Sequence, residues 1–161
     1  MDVETRPMEP DDLDRLVEVS LAADTLFAGA GLELPPDDPA PVLARCSPVL
    51  VAGRPAMGLA ALVELDGGAH LEQLAVHPGH GRRGVGTALL EAACSDARRR
   101  GHRGMTLTTF RDLPWNGPWY ARRGFSELPE SAWGPELAAR WRAEADAGIV
   151  VAPRLVMRRA L

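Results

Sequence analysis

The sequence lacks the features that mark membrane and secreted proteins. No apolar run in its 161 residues approaches the roughly 20 residues that a membrane-spanning helix requires. The acidic beginning, MDVETRPMEPDD, contains no basic segment followed by an apolar one, so we expect no secretory signal. These absences predict a cytoplasmic protein with no membrane partner.

Cysteine and histidine are scarce as well, with two and four copies. Cys46 and Cys94 have no metal-like spacing and stand among apolar neighbours, so we interpret both as packing residues with reduced thiols. The histidines also lack ligand spacing, and the residue pattern of a catalytic triad is missing. We therefore expect no metal centre.

The composition is that of an ordinary globular protein, with 46% hydrophobic and 25% charged residues. The net charge of −4 gives no reason to expect nucleic acid as a partner. Internal repeats, low-complexity tracts and long linkers are all missing, which predicts a single domain over residues 1–161.

The apolar pattern predicts a mixed α/β domain. The pattern predicts three strands, at 48–52, 57–65 and 69–76, which form an antiparallel group. An amphipathic helix from Val85 to Gly101 then leads to a strand at 105–110, which makes one strand–helix–strand crossover. The other predicted elements are strands at 3–6, 125–128 and 155–157, helices after Pro10, at 115–123 and at 136–147, and a loop at 29–41. In the long helix, Asp96 and Arg100 are placed to pair one turn apart. The predicted apolar stripe of that helix contains Val85, Ala88, Leu89, Ala92, Ala93 and Ala97. The helix at 136–147 has Leu137, Trp141 and Ala145 on one face.

The stretch HPGHGRRGVGTALL carries two overlapping glycine patterns. Gly79, Gly81 and Gly84 spell GxGxxG, which would predict a dinucleotide such as NAD. That motif needs an acidic residue about 20 positions later, at the tip of the next strand, and Asp112 comes too late. Gly84 and Gly86 instead form the RGxG core of a loop that holds the pyrophosphate of coenzyme A at a helix N-terminus. A glycine-rich turn without any ligand is the third interpretation.

The residues around this loop resemble a known family. LEQLAVHP on the strand, RRGVGTALL on the loop and helix, and Asn116 with YARRGF are similar to the GCN5-related N-acetyltransferases, or GNAT family. The resemblance covers most of the chain and is strongest from Ala69 to Phe125. Gly81 departs from the glutamine or arginine of the family pattern, which leaves the glycines and the helix N-terminus intact. The resemblance implies a GNAT-like acyl-CoA N-acyltransferase fold with a mostly antiparallel central sheet.

The resemblance implies where acetyl-CoA, the co-substrate, binds. Backbone groups of the central strand would pair with the pantetheine arm, and the loop would hold the pyrophosphate. Asn116 matches a cofactor-contacting asparagine, although it could equally be an N-cap. The implied cofactor-binding residues are Leu74, Ala75, Val76, Arg82, Arg83, Gly84, Val85, Gly86, Thr87 and Asn116.

The same resemblance implies the catalytic residues. Tyr120 would protonate the departing thiolate, unless it is a buried tyrosine with an ordinary hydrogen bond. Glu72 is the first candidate for the general base and His70 the second. These two residues should share one face of their strand, and the alternative is that they face solvent. The Val76 N–H could stabilise the oxyanion.

The acceptor is the least defined part of the reaction. We expect direct acetyl transfer to a primary amine of a small molecule or peptide. Trp115 and Trp119 could line the acceptor pocket or belong to the core, and Glu33, Asp37 and Asp38 could attract a cationic acceptor. The alternative function is a non-catalytic acyl-CoA-binding sensor or regulatory module, and residues 133–157 could form a homodimer interface.

Overall fold

The computed structural model describes residues 3–161. The predicted single domain also includes Met1 and Asp2, which lie outside the described residues. The strands are β1 Thr5–Pro7, β2 Val49–Ala52, β3 Gly58–Leu65, β4 Gly68–Val76, β5 Gly104–Phe110, β6 Ser126–Glu127 and β7 Arg154–Ala160. The α-helices are α1 Leu13–Gly29, α2 Pro39–Arg45, α3 Val85–Arg99, α4 Gly117–Ala121 and α5 Pro135–Asp146. Within residues 3–161, no helix is both long and apolar enough to cross a bilayer.

The seven strands form one sheet in the order β1-β2-β3-β4-β5-β7-β6. All neighbouring strands are antiparallel except β4 and β5, which run parallel and are connected by α3. A parallel connection requires a crossover, and α3 provides it. This topology confirms the predicted mixed α/β fold with a mostly antiparallel sheet and one crossover.

Helices cover both faces of the sheet. On one face, α3 and α4 pack over an apolar cluster that includes Leu89, Leu107 and Tyr120. On the other face, α1 and α2 pack over a second cluster that includes Leu16 and Leu43. We call these the α3 face and the α1 face. The apolar character of both strand faces explains why β2 and most of β3 are buried.

The long helix α3 follows the predicted apolar stripe. Val85, Leu89 and Ala93 are buried on one side of it. Asp96 and Arg100 form the expected ion pair one turn apart, with 2.7 Å between Oδ2 and Nε. Gly101 then adopts a φ of +88°, the left-handed conformation with which helices commonly end. The helix is therefore placed as the sequence predicted, with its N-terminus beside the end of β4.

The helix α4 begins later than the sequence predicted, at Gly117 and not at Trp115. The chain from β5 doubles back so tightly that a Cβ at position 117 would lie 2.5 Å from the Arg111 carbonyl oxygen. This close approach requires glycine and delays the helix until the turn is complete. Trp115 therefore lies outside the helix, and it does not share a helical face with Trp119.

The helix α5 presents a different stripe to the sheet from the predicted one. Leu137, Trp141 and Ala145 were expected to form one apolar face, but Ala145 is exposed and Trp141 packs against Trp133 at 5.2 Å between ring centroids. Leu137 is buried as predicted. Beside it, Arg140 and Glu144 point toward the sheet on the α1 face, because ion pairs with strand residues stabilise them there.

The position of α5 depends on an acidic side chain from a distant turn. Asp66, in the turn between β3 and β4, accepts hydrogen bonds from the backbone N–H groups of Glu136 and Leu137 at 2.9 and 3.0 Å. The Glu136 side chain accepts one in return from the Asp66 N–H at 2.6 Å. These bonds satisfy helix donors that have no partners inside α5, so the turn acts as its N-terminal cap.

Candidate active site

A notch opens between the two parallel strands. β4 and β5 pair only at their beginnings, where Ala69 lies opposite Met105 and His70 opposite Thr106. Beyond this point β4 continues to Val76 without β5 beside it, whereas β5 pairs along its whole length with β7 on its other edge. A β-bulge accompanies the divergence, because Ala61 pairs with Gln73 and Leu62 with Leu71, leaving Glu72 as the extra residue. The notch is therefore an unpaired strand edge inside the sheet.

The backbone of β4 presents alternate residues to this notch. The His77 N–H donates to the Met57 carbonyl at 2.8 Å, which sets the alternation of the β3–β4 ladder. Ala75 therefore bonds to β3, while the N–H and C=O groups of Leu74 and Val76 face the open edge. Of the three residues implied by the resemblance, Ala75 is thus turned away, and its part is limited to holding β4 on β3.

The loop after β4 concentrates unpartnered N–H groups. Within the described residues, no hydrogen bond is formed by the six consecutive backbone N–H groups from Arg82 to Thr87. The first bond of α3 runs from the Ala88 N–H to the Gly84 carbonyl at 3.0 Å. Gly84 and Arg82 have φ values of +79° and +63°, which bend the chain into the helix start. Such a run of donors at a helix N-terminus is a binding site for anions.

The side chains of this loop contribute unequally. Val85 is buried, so only its N–H can reach a ligand. The Thr87 hydroxyl accepts a hydrogen bond from Arg123 Nε at 3.1 Å. The Arg123 guanidinium also stacks on the Trp119 ring at 3.7 Å. These two contacts of Arg123 hold α4 against the start of α3. A Cβ at Gly86 would lie 3.4 Å from the Trp119 ring, which is ordinary contact. Trp119 therefore packs against the start of α3 on the α3 face.

Tyr120 lies on the α3 face beneath the notch. Its ring is buried between Trp119 and Phe125, with edge-on contacts at 5.1 and 5.6 Å between centroids. Within residues 3–161 its hydroxyl forms no hydrogen bond, so the ordinary hydrogen bond of the structural alternative is missing. Burial raises the pKa of Tyr120, which keeps the phenol protonated and able to donate.

Asn116 occupies the N-cap position of α4 but does not cap with its side chain. The backbone carbonyl accepts from the Tyr120 N–H at 3.0 Å, while the side-chain Nδ2 donates to the Trp115 carbonyl at 3.0 Å. The side-chain oxygen is therefore not used by the helix. This geometry removes the main argument for a purely structural role.

Glu72 and His70 share the α1 face, as their spacing predicted. Glu72 Oε1 lies 3.1 Å from Arg140 Nη1, and its Oε2 is buried without a hydrogen-bond partner, 3.9 Å from His70 Nε2. Burial raises the pKa of Glu72 and outweighs the charges of Arg140 and Arg45, which lower it. The carboxylate is thus poised to accept a proton at the bulge where the notch begins.

His70 is less suited to take a proton from a substrate. Its ring is 1% exposed, and its Nδ1 is hydrogen-bonded to Thr106 Oγ1 at 2.8 Å. Burial, together with the charge of Arg140, lowers the pKa of His70 to about 4. His70 is neither the solvent-facing residue of one alternative nor accessible to an amine, so the geometry favours Glu72 as base.

Sequence reasoning missed a group of charged residues on the α1 face. Arg140 bonds to Glu72, and one turn later Glu144 accepts from the Thr108 hydroxyl of β5 at 2.6 Å. Arg154 of β7 lies 3.4 Å from Glu144 and stacks on Phe110 at 4.6 Å. The only local signal was the spacing of Arg140 and Glu144, which is typical of solvated helix surfaces too.

Comparison with known families assigns this arrangement. A family model described as an acetyltransferase (GNAT) domain matches residues 45–127, more than half of the chain. The chain belongs to the GNAT family. The matched range contains the open edge of β4, the N–H-rich loop, Asn116 and Tyr120. As a GNAT acetyltransferase, the protein is an acyl-CoA-dependent N-acetyltransferase.

Solved structures of other proteins share the fold over the whole chain. A GNAT-family acetyltransferase from Staphylococcus aureus Mu50 aligns with a TM-score of 0.76 and 15% identity over 99% of both chains. PaiA N-acetyltransferase from Thermoplasma acidophilum, solved with coenzyme A, aligns with a TM-score of 0.70 and 16% identity over 100% of both. N-acetylglutamate synthase from Neisseria gonorrhoeae, solved with coenzyme A and N-acetyl-glutamate, matches 100% of this chain with a TM-score of 0.75 and 20% identity. This chain covers 35% of that synthase.

The three residues predicted to attract a cationic acceptor have different surroundings in this GNAT structure. Asp38 Oδ1 accepts from the Ala40 N–H at 3.1 Å and so caps α2. Glu33 and Asp37 are exposed. A further carboxylate that sequence reasoning missed, Asp24 of α1, lies near enough to Asp37 for their charges to interact. Among residues 3–161, no group of three or more histidine, cysteine, aspartate or glutamate side chains is arranged to hold a metal ion.

Proposed function

We propose that this GNAT protein binds acetyl-CoA along the open edge of β4 and transfers the acetyl group directly to a primary amine. The observation that carries this proposal is the continuity of the edge with the loop. The free backbone groups of Leu74 and Val76 can pair with an extended amide-containing arm, as an added strand would. The unpartnered N–H groups from Arg82 to Thr87 follow within a few residues and suit a pyrophosphate.

The remaining cofactor contacts come from side chains around that loop. Arg82 and Arg83 are exposed and add positive charge beside the N–H groups. Gly84 leaves open space where a side chain would stand, so a phosphate can approach the backbone. Asn116, whose side-chain oxygen is free, completes the set from the opposite side of the notch.

Glu72 acts as the general base in this proposal. The acceptor arrives as an ammonium ion, and Glu72 takes one proton from it, directly or through a water molecule, so that the nitrogen lone pair can attack. A bond forms between this nitrogen and the acetyl carbonyl carbon. Arg140 holds the carboxylate at the bulge, while burial keeps its proton affinity high.

Tyr120 and the Val76 N–H act on the other half of the reaction. As the bond between the carbonyl carbon and sulfur breaks, the electron pair leaves with sulfur, and the Tyr120 hydroxyl supplies the proton that completes the thiol. The attacking nitrogen gives up its second proton, which returns Tyr120 to the phenol through solvent, and Glu72 releases the first proton to solvent. The Val76 N–H faces the notch and donates to the developing oxyanion. The products are an N-acetylated amine and free coenzyme A.

Two measurements test the proposal in sequence. Calorimetric titration with acetyl-CoA, with NAD as the control, asks which ligand the loop binds. Binding of NAD alone, or of neither, would overturn the site assignment. Thiol release from acetyl-CoA in the presence of primary amines then asks whether transfer occurs, and binding without release for any amine would favour the sensor function.

The composition simplifies this second assay. All 18 basic residues of the chain are arginine, so the protein has no lysine side chain that it could acetylate on itself. Amide-linked acetyl groups that appear on the protein fraction can therefore belong only to its N-terminus or to a protein acceptor added to the assay.

A further inference from the structure

The helix α1 crosses the notch from one strand to the other on the α1 face. Near its middle, the Ser20 hydroxyl accepts a hydrogen bond from the Gln73 side chain of β4. Near its end, Phe27 packs against Phe110 of β5, with 5.5 Å between ring centroids. Asp24 lies one turn after Ser20 and one turn before Phe27, so it lies on the same side of the helix. It therefore faces the gap between the two strands.

Within residues 3–161 the Asp24 carboxylate has no partner. It is partly buried, yet it forms no hydrogen bond or ion pair with any residue from 3 to 161. Burial, with a contribution from the charge of Asp37, raises the pKa of Asp24 to about 6. No basic residue occurs between Arg15 and Arg45, so this part of the chain supplies no cation for it. A charge left desolvated and unpaired costs stability unless a ligand pairs with it.

Aromatic rings surround the same end of the notch. Phe27 contacts Trp115 at 6.2 Å as well as Phe110, and the Trp115 indole N–H is buried without a partner. Aromatic faces bind alkylammonium groups, and a nearby carboxylate strengthens that binding. The arginines of this face already lie beside other carboxylates, Arg140 and Arg45 beside Glu72 and Arg154 beside Glu144, and Arg154 covers the Phe110 ring. None of them pairs with Asp24, so Asp24 keeps a charge that a cationic group of the acceptor can pair with, beside the rings of Phe27 and Trp115.

We propose that Asp24 binds a second, cationic group of the acceptor, so that the preferred acceptors are diamines. This inference rests on the proposed function and names its substrate class. One amine of the diamine loses a proton to Glu72 and is acetylated. The other keeps its charge, lies between Asp24 and the aromatic rings, and leaves unchanged in the monoacetylated product.

Three probes of equal length and different charge test this proposal. 1,4-Diaminobutane, butylamine and 4-aminobutyrate carry a positive, a neutral and a negative group opposite the reacting amine. We expect kcat/KM for the diamine to exceed that for butylamine by about tenfold or more, with 4-aminobutyrate the poorest acceptor. Equal values for the diamine and butylamine, or a preference for 4-aminobutyrate, would overturn the proposal.

The matched variants are Asp24→Asn and Glu18→Gln. Both lie on α1 and remove one negative charge, but Glu18 is exposed and paired with Arg15. Asp24→Asn should reduce the diamine-to-butylamine ratio of kcat/KM to near one, mainly through KM, whereas Glu18→Gln should keep the ratio. An unchanged ratio in Asp24→Asn would contradict the proposal that Asp24 binds the second cationic group.

A binding measurement separates this proposal from the proposed function. In the presence of coenzyme A, which cannot transfer an acetyl group, 1,4-diaminobutane should raise the melting temperature of the wild type and not that of Asp24→Asn. If acetyl-CoA binds but no amine is acetylated, the proposed transfer fails while this shift still reports on the cation site. If transfer occurs but the shift is the same in both proteins, the cation site alone is wrong.

Discussion

The two faces of the sheet at the notch differ in the chemical groups that they present. On the α3 face, the site consists of backbone N–H groups and an apolar cluster around Tyr120, and its donors come from the six consecutive residues Arg82 to Thr87. On the α1 face, it consists of charged side chains from different elements, such as Glu72 of β4, Arg140 of α5 and Asp24 of α1. In the proposed function, one face binds the cofactor through the main chain, whereas the other acts on the acceptor through side-chain charge.

This difference suggests how one fold can keep its cofactor and change its acceptor. Backbone donors survive most substitutions, provided that glycine is kept where the ligand approaches. Side chains of the α1 face can be substituted one at a time without disturbing the loop. Variants on the two faces should therefore separate kinetically, with cofactor binding lost on one and proton transfer or acceptor selection lost on the other.

The largest effect is expected from Glu72→Gln on the α1 face. Loss of the base should lower kcat by about a thousandfold at an unchanged Kd for acetyl-CoA. Because burial raises the pKa of Glu72, wild-type kcat should rise with pH through a value above that of an ordinary glutamate, and the variant should lack this rise. Glu64→Gln, at an exposed position of β3, is the control. Wild-type kinetics in Glu72→Gln would assign the base elsewhere.

Tyr120→Phe tests the acid on the opposite face. We expect kcat to fall by about a hundredfold, again with acetyl-CoA binding retained. The melting temperature should stay close to that of the wild type, since the hydroxyl forms no hydrogen bond that the fold would lose. Steady-state kinetics, calorimetry and thermal unfolding of one preparation provide all three values. Full turnover in this variant would rule out the acid role.

Gly86→Ala should affect the cofactor face alone. The added methyl group makes only ordinary contact with Trp119 and Val76, so folding should be little changed. We expect the methyl group to crowd the proposed pyrophosphate site beside these contacts and to weaken acetyl-CoA binding by about tenfold or more. Gly68→Ala, at the other end of β4, is the matched control. Equal affinities in the two variants would mean that the phosphate does not approach Gly86.

Asp66→Ala should loosen α5 without touching the cofactor loop. The loss of the cap on Glu136 and Leu137 should lower the free energy of unfolding by about 1 kcal/mol. Asp66→Asn keeps an acceptor oxygen and should lose much less. Denaturant unfolding of both variants measures the difference, and equal losses would show that the hydrogen bonds do not carry the effect.

The smallest effect is a change in the pH dependence of stability in Asp24→Asn. Burial raises the pKa of Asp24 from 3.8 to about 6, so the folded state holds this proton more tightly than the unfolded chain. The resulting stabilisation is complete below about pH 3.8 and is lost as the pH rises through about 6. The variant should therefore melt at a higher temperature than the wild type at pH 8 but not at pH 4. A difference independent of pH would contradict the burial of this charge.

Local patterns were sufficient for most elements and insufficient for helix orientation. The stripe of α3 was predicted correctly because its apolar residues repeat at helical spacing over many turns. The stripe of α5 was not predicted correctly, because Arg140 and Glu144 face the sheet, where they bond to residues of β4, β5 and β7. Trp115 was placed in a helix for a similar reason: the tight turn at Gly117 depends on the Arg111 carbonyl, which no local spacing reveals.

The sequence by itself determined which residues form the proposed cofactor half of the site, because the strand edge, the loop from Arg82 to Thr87 and the start of α3 are consecutive, and their chemistry is that of the backbone. It also placed Glu72 and His70 on one face through strand alternation. Only the tertiary structure decided which of these two is less buried, which face α5 presents and which side of α1 lies against β4 and β5. Those outcomes depend on burial and on charges that come together from distant segments, and no spacing along the chain encodes them.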